Sequence, residues 1–130
     1  MSRPATFLAV DDVVAIHGRM IQQFGGEPGL RDRGLLESAV AMPAARVGGR
    51  YLHRGTAAKA AAYLFHLCRN HAFLDGNKRT ALAAADVFLR LNGASLSATD
   101  DELEELTVGV ATGAVSKHQV VRFFRAHVRS

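Results

Sequence analysis

The sequence predicts an all-α fold, a compact single domain of about six helices over residues 1–130 with a short flap loop or hairpin. Three observations carry that prediction. Apolar residues recur at helical rather than alternating spacing along almost the whole chain. Two segments, 56–70 and 78–91, are rich in alanine and apolar nearly all round, the pattern of buried helices. Capping signals and Gly or Pro stops divide the chain at helix-sized intervals.

Taken in order, Val13, Ile16, Met20, Ile21 and Phe24 mark a first amphipathic helix, closed by Gly25-Gly26. Residues 33–42, "RGLLESAVAM", form a shorter one that Pro43 stops. Its natural N-cap is Asp32, which follows Arg31. "PAARVGGRYLHRG" then has two adjacent glycines and no helical pattern, so it reads as a basic surface loop or small hairpin. Residues 56–70 and 78–91 are the central pair, each about 20 Å long at ~1.5 Å per residue. The second ends on Asn92-Gly93. Thr99 with Glu102 opens a helix carrying Leu103, Leu106 and Val110. Ser116 with Gln119 opens the last, carrying Val120, Val121, Phe124 and Val128.

With 48% hydrophobic residues the chain can fill one core, and no apolar run approaches the roughly 20 residues a membrane span needs. "MSRPATFLAVDD" lacks a signal-peptide core, and a lone cysteine, Cys68, rules out an internal disulfide framework. These features predict a cytoplasmic protein. Cys68 itself sits in an alanine-rich helix and reads as core. Net charge is +4, unevenly spread: residues 99–105 hold five of the twelve acids, whereas 116–130 hold four cations and no acid. Arg122, Arg125 and Arg129 share a face of the last helix, suited to solvent or an acidic partner. The charge permits a phosphate ligand. It also permits a non-catalytic helical nucleic-acid-binding domain, although no recognition-helix signal supports direct DNA binding.

The stretch with chemical content joins the two central helices: "HAFLDGNKR", residues 71–79. Phe73 plugs the loop into the core. Gly76 lets the backbone turn sharply and approach a ligand. Lys78 and Arg79 then occupy the first turn of a helix, where the dipole is already positive and each exposed cation costs about 0.3–1 kcal/mol. An anion over the helix N-terminus removes the conflict, and phosphate is the natural one. Asp75 fits beside phosphate when it holds Mg²⁺. His71 is a residue type that accepts protons near neutral pH. Base, metal-binding carboxylate and anion cradle are the parts phosphoryl transfer needs. Residue by residue a plainer account also stands: a histidine at a helix C-terminus, an aspartate N-cap, two solvated cations. His66 and His71 are not spaced for zinc.

The nine residues resemble the signature of the Fic/Doc superfamily, in particular the Doc branch of death-on-curing toxins, H-x-F-x-[DN]-[AG]-N-K-R. "TALAAADVFLRLNG" and "FGGEPGLRDRGLLESAVAMP" resemble the same family, so the likeness covers most of the chain. It implies a compact helical toxin of a type II toxin–antitoxin pair, a kinase using ATP and Mg²⁺ that phosphorylates a threonine of elongation factor Tu. Its antitoxin partner would be Phd-like, docking a segment that orders on binding. By matching positions, His71 would be the general base, Asp75 the metal-binding residue, and Gly76, Asn77, Lys78 and Arg79 the nucleotide-phosphate site.

AMP-transferring Fic enzymes read H-P-F-x-x-G-N-G-R. Here Ala72 replaces the proline and Lys78 the second glycine. That glycine leaves room for the phosphates in the orientation presenting the α-phosphate, so a lysine favours γ-phosphate transfer, with AMP transfer to a protein hydroxyl as the alternative. The inhibitory motif S/T-x-x-x-E-G/N of some Fic proteins is missing, since no glutamate here precedes Gly or Asn. Restraint is therefore expected from another chain. "RVGGRYLHRG" lies where family members carry a flap that aligns the target peptide beside the site.

Overall fold

The computed structural model describes residues 4–130, so the first three residues of the N-terminal stretch lie outside it. In chain order it contains α1 (Val10–Phe24), α2 (Arg33–Ala41), a 3₁₀ turn (Met42–Ala44), β1 (Arg46–Val47), β2 (Arg50–Tyr51) and α3 (Gly55–Asn70). Then come α4 (Asn77–Leu91), β3 (Ser95–Leu96), α5 (Asp100–Thr112), α6 (Lys117–His127) and β4 (Val128–Arg129). Among the described residues, then, six helices form the domain and the strands are only two-residue pieces.

Four helices have capped starts. Asp12 accepts from the Ala9 N–H (2.7 Å) at the head of α1, and Asp32 accepts from the Leu35 N–H (3.0 Å) at α2. Reciprocal boxes open α5, through Thr99 and Glu102, and α6, through Ser116 and Gln119. Each such cap stabilises its helix by ~1 kcal/mol. None of this operates at α3 or α4, which lack both a capping side chain and a first-turn acid.

The centre is the α3–α4 pair, with α2, α5 and α6 packed on α3 and α1 on α4. Ala58, Ala60, Ala61, Ala81, Ala84 and Ala85 are buried in these two helices. Their small side chains admit close approach, and larger ones fill the flanks. Tyr63, Leu64, Phe88, Leu89 and Phe124 are fully buried, each aliphatic or phenyl group contributing roughly 1.5–3 kcal/mol. Tyr63 also anchors the N-terminal segment, its hydroxyl accepting from the Leu8 N–H at 2.8 Å. Among the described residues no helix is long and apolar enough to cross a membrane.

One expectation changes. Val128 leaves the last helix and joins β4, which pairs antiparallel with β3 (Leu96↔Val128, Ser95↔Arg129). After His127 the backbone turns extended at Val128 (φ −80°, ψ 133°), and the His127 carbonyl accepts from the Ser97 N–H (2.8 Å). The basic segment does form a hairpin, turned by Gly48 and Gly49 with φ of 59° and 77°, the paired positive φ of a type I′ turn. It stands beside the first turns of α3, near Gly55 and Lys59, and His71 follows the last. About 20 Å of helix, at ~1.5 Å per residue, lies between them.

Candidate active site

The loop between α3 and α4 starts with a strained residue. His71 has φ of 51° and is, among the described residues, the one non-glycine with positive φ. A left-handed backbone costs an L-residue roughly 1–2 kcal/mol, and such strain persists where neighbours over-determine it. Arg31 is that neighbour: its Nε donates to the His71 carbonyl (2.7 Å) and its Nη2 to the Asn70 carbonyl (3.3 Å). The chain turns off α3 at once and leaves His71 exposed.

Below the surface the loop is closed on itself. Phe73 is 3% exposed, and Asn77 5%. The Asn77 side chain clamps Phe73 from both sides, Oδ1 accepting its N–H (3.0 Å) and Nδ2 donating to its carbonyl (2.9 Å). With both ends of its amide so engaged, Asn77 braces the loop through its side chain. Its backbone N–H meets no acceptor among the described residues.

Residues 25–32 hold the same loop from outside. The Ala72 carbonyl accepts from the N–H of Arg31 (2.7 Å) and of Asp32 (3.0 Å), and the Leu74 N–H donates to Gly29 (3.0 Å). Leu30 and Phe73 form an antiparallel bridge. Asp75 receives the Glu27 N–H on Oδ2 (3.0 Å) and the Gly76 N–H on Oδ1 (2.8 Å). These two amides, Glu27 foremost, hold the exposed carboxyl below the usual carboxylate range, so it is ionised at neutral pH. Gly26 makes the approach possible. A Cβ there would stand 2.7 Å from Asp75 Oδ2, on a backbone with φ of 116°. From within, His17 on α1 stacks on Phe73 (3.8 Å, 6°) and its Nε2–H donates to the Asp75 carbonyl (2.8 Å).

The product is an open helix N-terminus. Gly76, with φ of 74°, occupies the N-cap position without a capping side chain. The first helical bond runs from the Thr80 N–H to the Gly76 carbonyl (3.0 Å). Among the described residues the N–H groups of Asn77, Lys78 and Arg79 meet no protein acceptor, and neither Lys78 nor Arg79 has a carboxylate partner. Arg79 lies over the Phe24 ring, 4.4 Å from its centroid. Three free amides and two cations make a fitting seat for a phosphate chain. Asp75 fits a Mg²⁺ ion held by one carboxylate plus phosphates, because each of its oxygens keeps a lone pair after accepting one amide.

His71, Asp75, Gly76, Lys78 and Arg79 thus stand together on one braced turn. Cys68 is buried and its thiol is pushed up by that burial, the state of an inert core cysteine. Among the described residues no group of three or more His, Cys, Asp or Glu side chains could hold a metal by itself. Sequence reading missed His17, Gly26 and the part played by Arg31. One signal for His17 was available: it sits on the apolar stripe four residues after Val13, where a buried polar ring demands a partner.

A family model described as Fic/DOC family matches residues 7–89. Toxin Doc of Mycolicibacterium smegmatis is 53% identical over 91 residues, covering 68% of this chain and 70% of that protein. Protein kinase doc of Escherichia phage P1 is 37% identical over 118 residues, covering 91% of this chain and 92% of that protein.

Proposed function

The chain belongs to the Fic/Doc family, and from that premise we propose that it is a toxin of a type II toxin–antitoxin pair acting as a protein kinase. It transfers the γ-phosphate of ATP to a threonine or serine hydroxyl of a translation factor, elongation factor Tu by resemblance, and so inhibits translation. One observation carries the reading: the start of α4 leaves three amides and two cations without an anionic partner, beside an ionised Asp75 and the exposed, strained His71. The names of both relatives support the same class, one as a toxin and the other as a protein kinase.

The backbone N–H groups of Asn77, Lys78 and Arg79, with the Lys78 and Arg79 side chains, bind and orient the phosphates. Asp75 holds Mg²⁺. ATP bound there supplies the phosphoryl group, and the metal ion neutralises phosphate charge. His71 takes the proton of the target hydroxyl on a ring nitrogen, its side chain standing clear of the core because the left-handed turn points the chain away from α3. Lys78 occupies the position of the second glycine in AMP-transferring relatives, which favours presentation of the γ-phosphate. A Phd-like antitoxin is the expected partner, and the cytoplasm the expected place of action.

The protein is incubated with Mg²⁺, candidate translation factors and ATP radiolabelled at either the γ- or the α-phosphate. Transfer from the γ position alone is expected. Transfer from the α position would replace the kinase by an AMP transferase.

A further inference from the structure

The geometry points to His17 as a positioning residue that sets where α4 begins and thereby keeps its anion cradle open. This rests on the reading of that helix start as a phosphate seat. An α-helix beginning one residue earlier would give the Asp75 carbonyl to the N–H of Arg79, four residues on. Here that carbonyl is already taken by the His17 Nε2–H at 2.8 Å. The first helical bond falls instead on the Gly76 carbonyl, and the Arg79 N–H stays free.

The imidazole is held firmly enough to do this. It is 5% exposed and lies flat on Phe73, which Asn77 pins through both backbone groups. Gly76 lies beside the Nε2 edge of the ring, where an added Cβ would come 3.7 Å from Nε2 and 3.8 Å from Cδ2. A carbonyl only accepts, so the bond requires the proton on Nε2. One ring therefore supports Phe73 by stacking and Asp75 by a hydrogen bond. Neither His71 nor the phosphate-binding cations touch it. Its action on transfer is indirect, through the backbone that carries them.

Two substitutions separate the hydrogen bond from the stacking. His17→Phe keeps an aromatic ring on Phe73 but removes the donor. His17→Gln restores an amide N–H near the Nε2 position without the ring. For His17→Phe, affinity for the β,γ-imido analogue of ATP with Mg²⁺, measured by calorimetry, should weaken about tenfold, the scale of one lost buried hydrogen bond. KM for ATP should rise by a similar factor while kcat moves much less. Exchange of the Leu74 and Gly76 amides should accelerate while that of α5 stays as in the wild type. His17→Gln should recover most of the affinity.

Wild-type affinity and wild-type Leu74 and Gly76 exchange in His17→Phe would overturn the proposal. So would a glutamine variant no better than phenylalanine, or exchange that accelerates equally in α5, which marks plain destabilisation. Should His17→Phe fail to fold, the ring nitrogens of the wild type decide by NMR: a Nε2–H tautomer supports the assignment and a Nδ1–H tautomer refutes it. A wild type that binds no nucleotide would remove the kinase reading, while amide exchange and the tautomer would still judge His17.

Discussion

Two helices of this protein begin alike in charge and unlike in construction. Both α3 and α4 start without a capping side chain or a first-turn acid, and both carry cations there. At α3, the residues Arg46, Arg50, Arg54 and Lys59 line an open depression of about 380 Å³ beside Tyr51. Two of these cations share the Tyr51 ring, Arg46 at 4.0 Å and Lys59 at 4.3 Å, and Lys59 donates to the His53 carbonyl at 2.8 Å. The remaining support is a hairpin of two-residue strands. At α4, by contrast, Asn77, His17, Arg31 and the segment Gly26–Asp32 fix the backbone from three sides. Positive charge and unpaired first-turn amides are common to both starts, whereas a loop that fixes those donors from three sides belongs to one. Fixed donors are what bind an anion without a reorganisation cost.

The largest way to test that contrast is at His71. His71→Gly removes both the base and the strain. Phosphoryl transfer should fall by about 10²–10⁴, while urea denaturation should show the fold unharmed or stabilised by ~0.5–1 kcal/mol, because glycine adopts φ > 0 freely. Loss of activity together with a large loss of stability would mean that the left-handed turn is not stored strain. Next comes Asn77→Ala, which strands the Phe73 N–H and carbonyl inside the loop and should cost about 2–3 kcal/mol in thermal or urea unfolding.

A paired glycine experiment addresses both regions directly. Gly26→Ala forces a Cβ onto Asp75 Oδ2 in a backbone region nearly closed to other residues, so a loss of ~2–3 kcal/mol is expected. Gly48→Ala, with nothing within 4 Å of its added Cβ, should cost only about 1 kcal/mol, from the positive φ alone. Equal losses would erase the difference in bracing.

The smallest effect is a pH dependence at His66, in the C-terminal half of α3 with its ring against that of His53. His66 is pushed down to about 4 from 6.5, first by burial and then by Lys117 and His53. Between those pH values the unfolded chain binds more protons than the folded one, so stability rises with pH across that window and falls on acidification. His66→Phe should flatten that slope in urea titrations at pH 4 to 6.5. Asp75, also held low, contributes stability above the ordinary carboxylate range that is lost as pH drops below it. Because its carboxylate lies in the open, its share is screened.

The helices were legible because their signals are local: Asp32, Thr99, Glu102, Ser116 and Gln119 cap the helices their positions foretell. The central pair α3 and α4 was legible from alanines, and the loop between them stood out as a candidate site by a charge conflict within nine residues. What escaped is non-local. His17 meets Asp75 across 58 positions and Arg31 meets His71 across 40, and no spacing rule connects them. The β3–β4 pair was missed for the same reason, since two-residue strands carry no periodicity. Asn77 shows a subtler limit. Its place in the motif was read, but only packing reveals that its amide is spent on Phe73.

The central claim is that the start of α4, and not the equally cationic start of α3, is the anion seat. Titrating ¹⁵N-labelled protein with the β,γ-imido analogue of ATP and Mg²⁺, and following backbone amides by NMR, tests it most directly. The account predicts large saturable shifts at Asn77, Lys78 and Arg79, with Gly55, Thr56 and Ala57 unmoved. Shifts centred on Gly55–Ala57 with Asn77–Arg79 silent would contradict it.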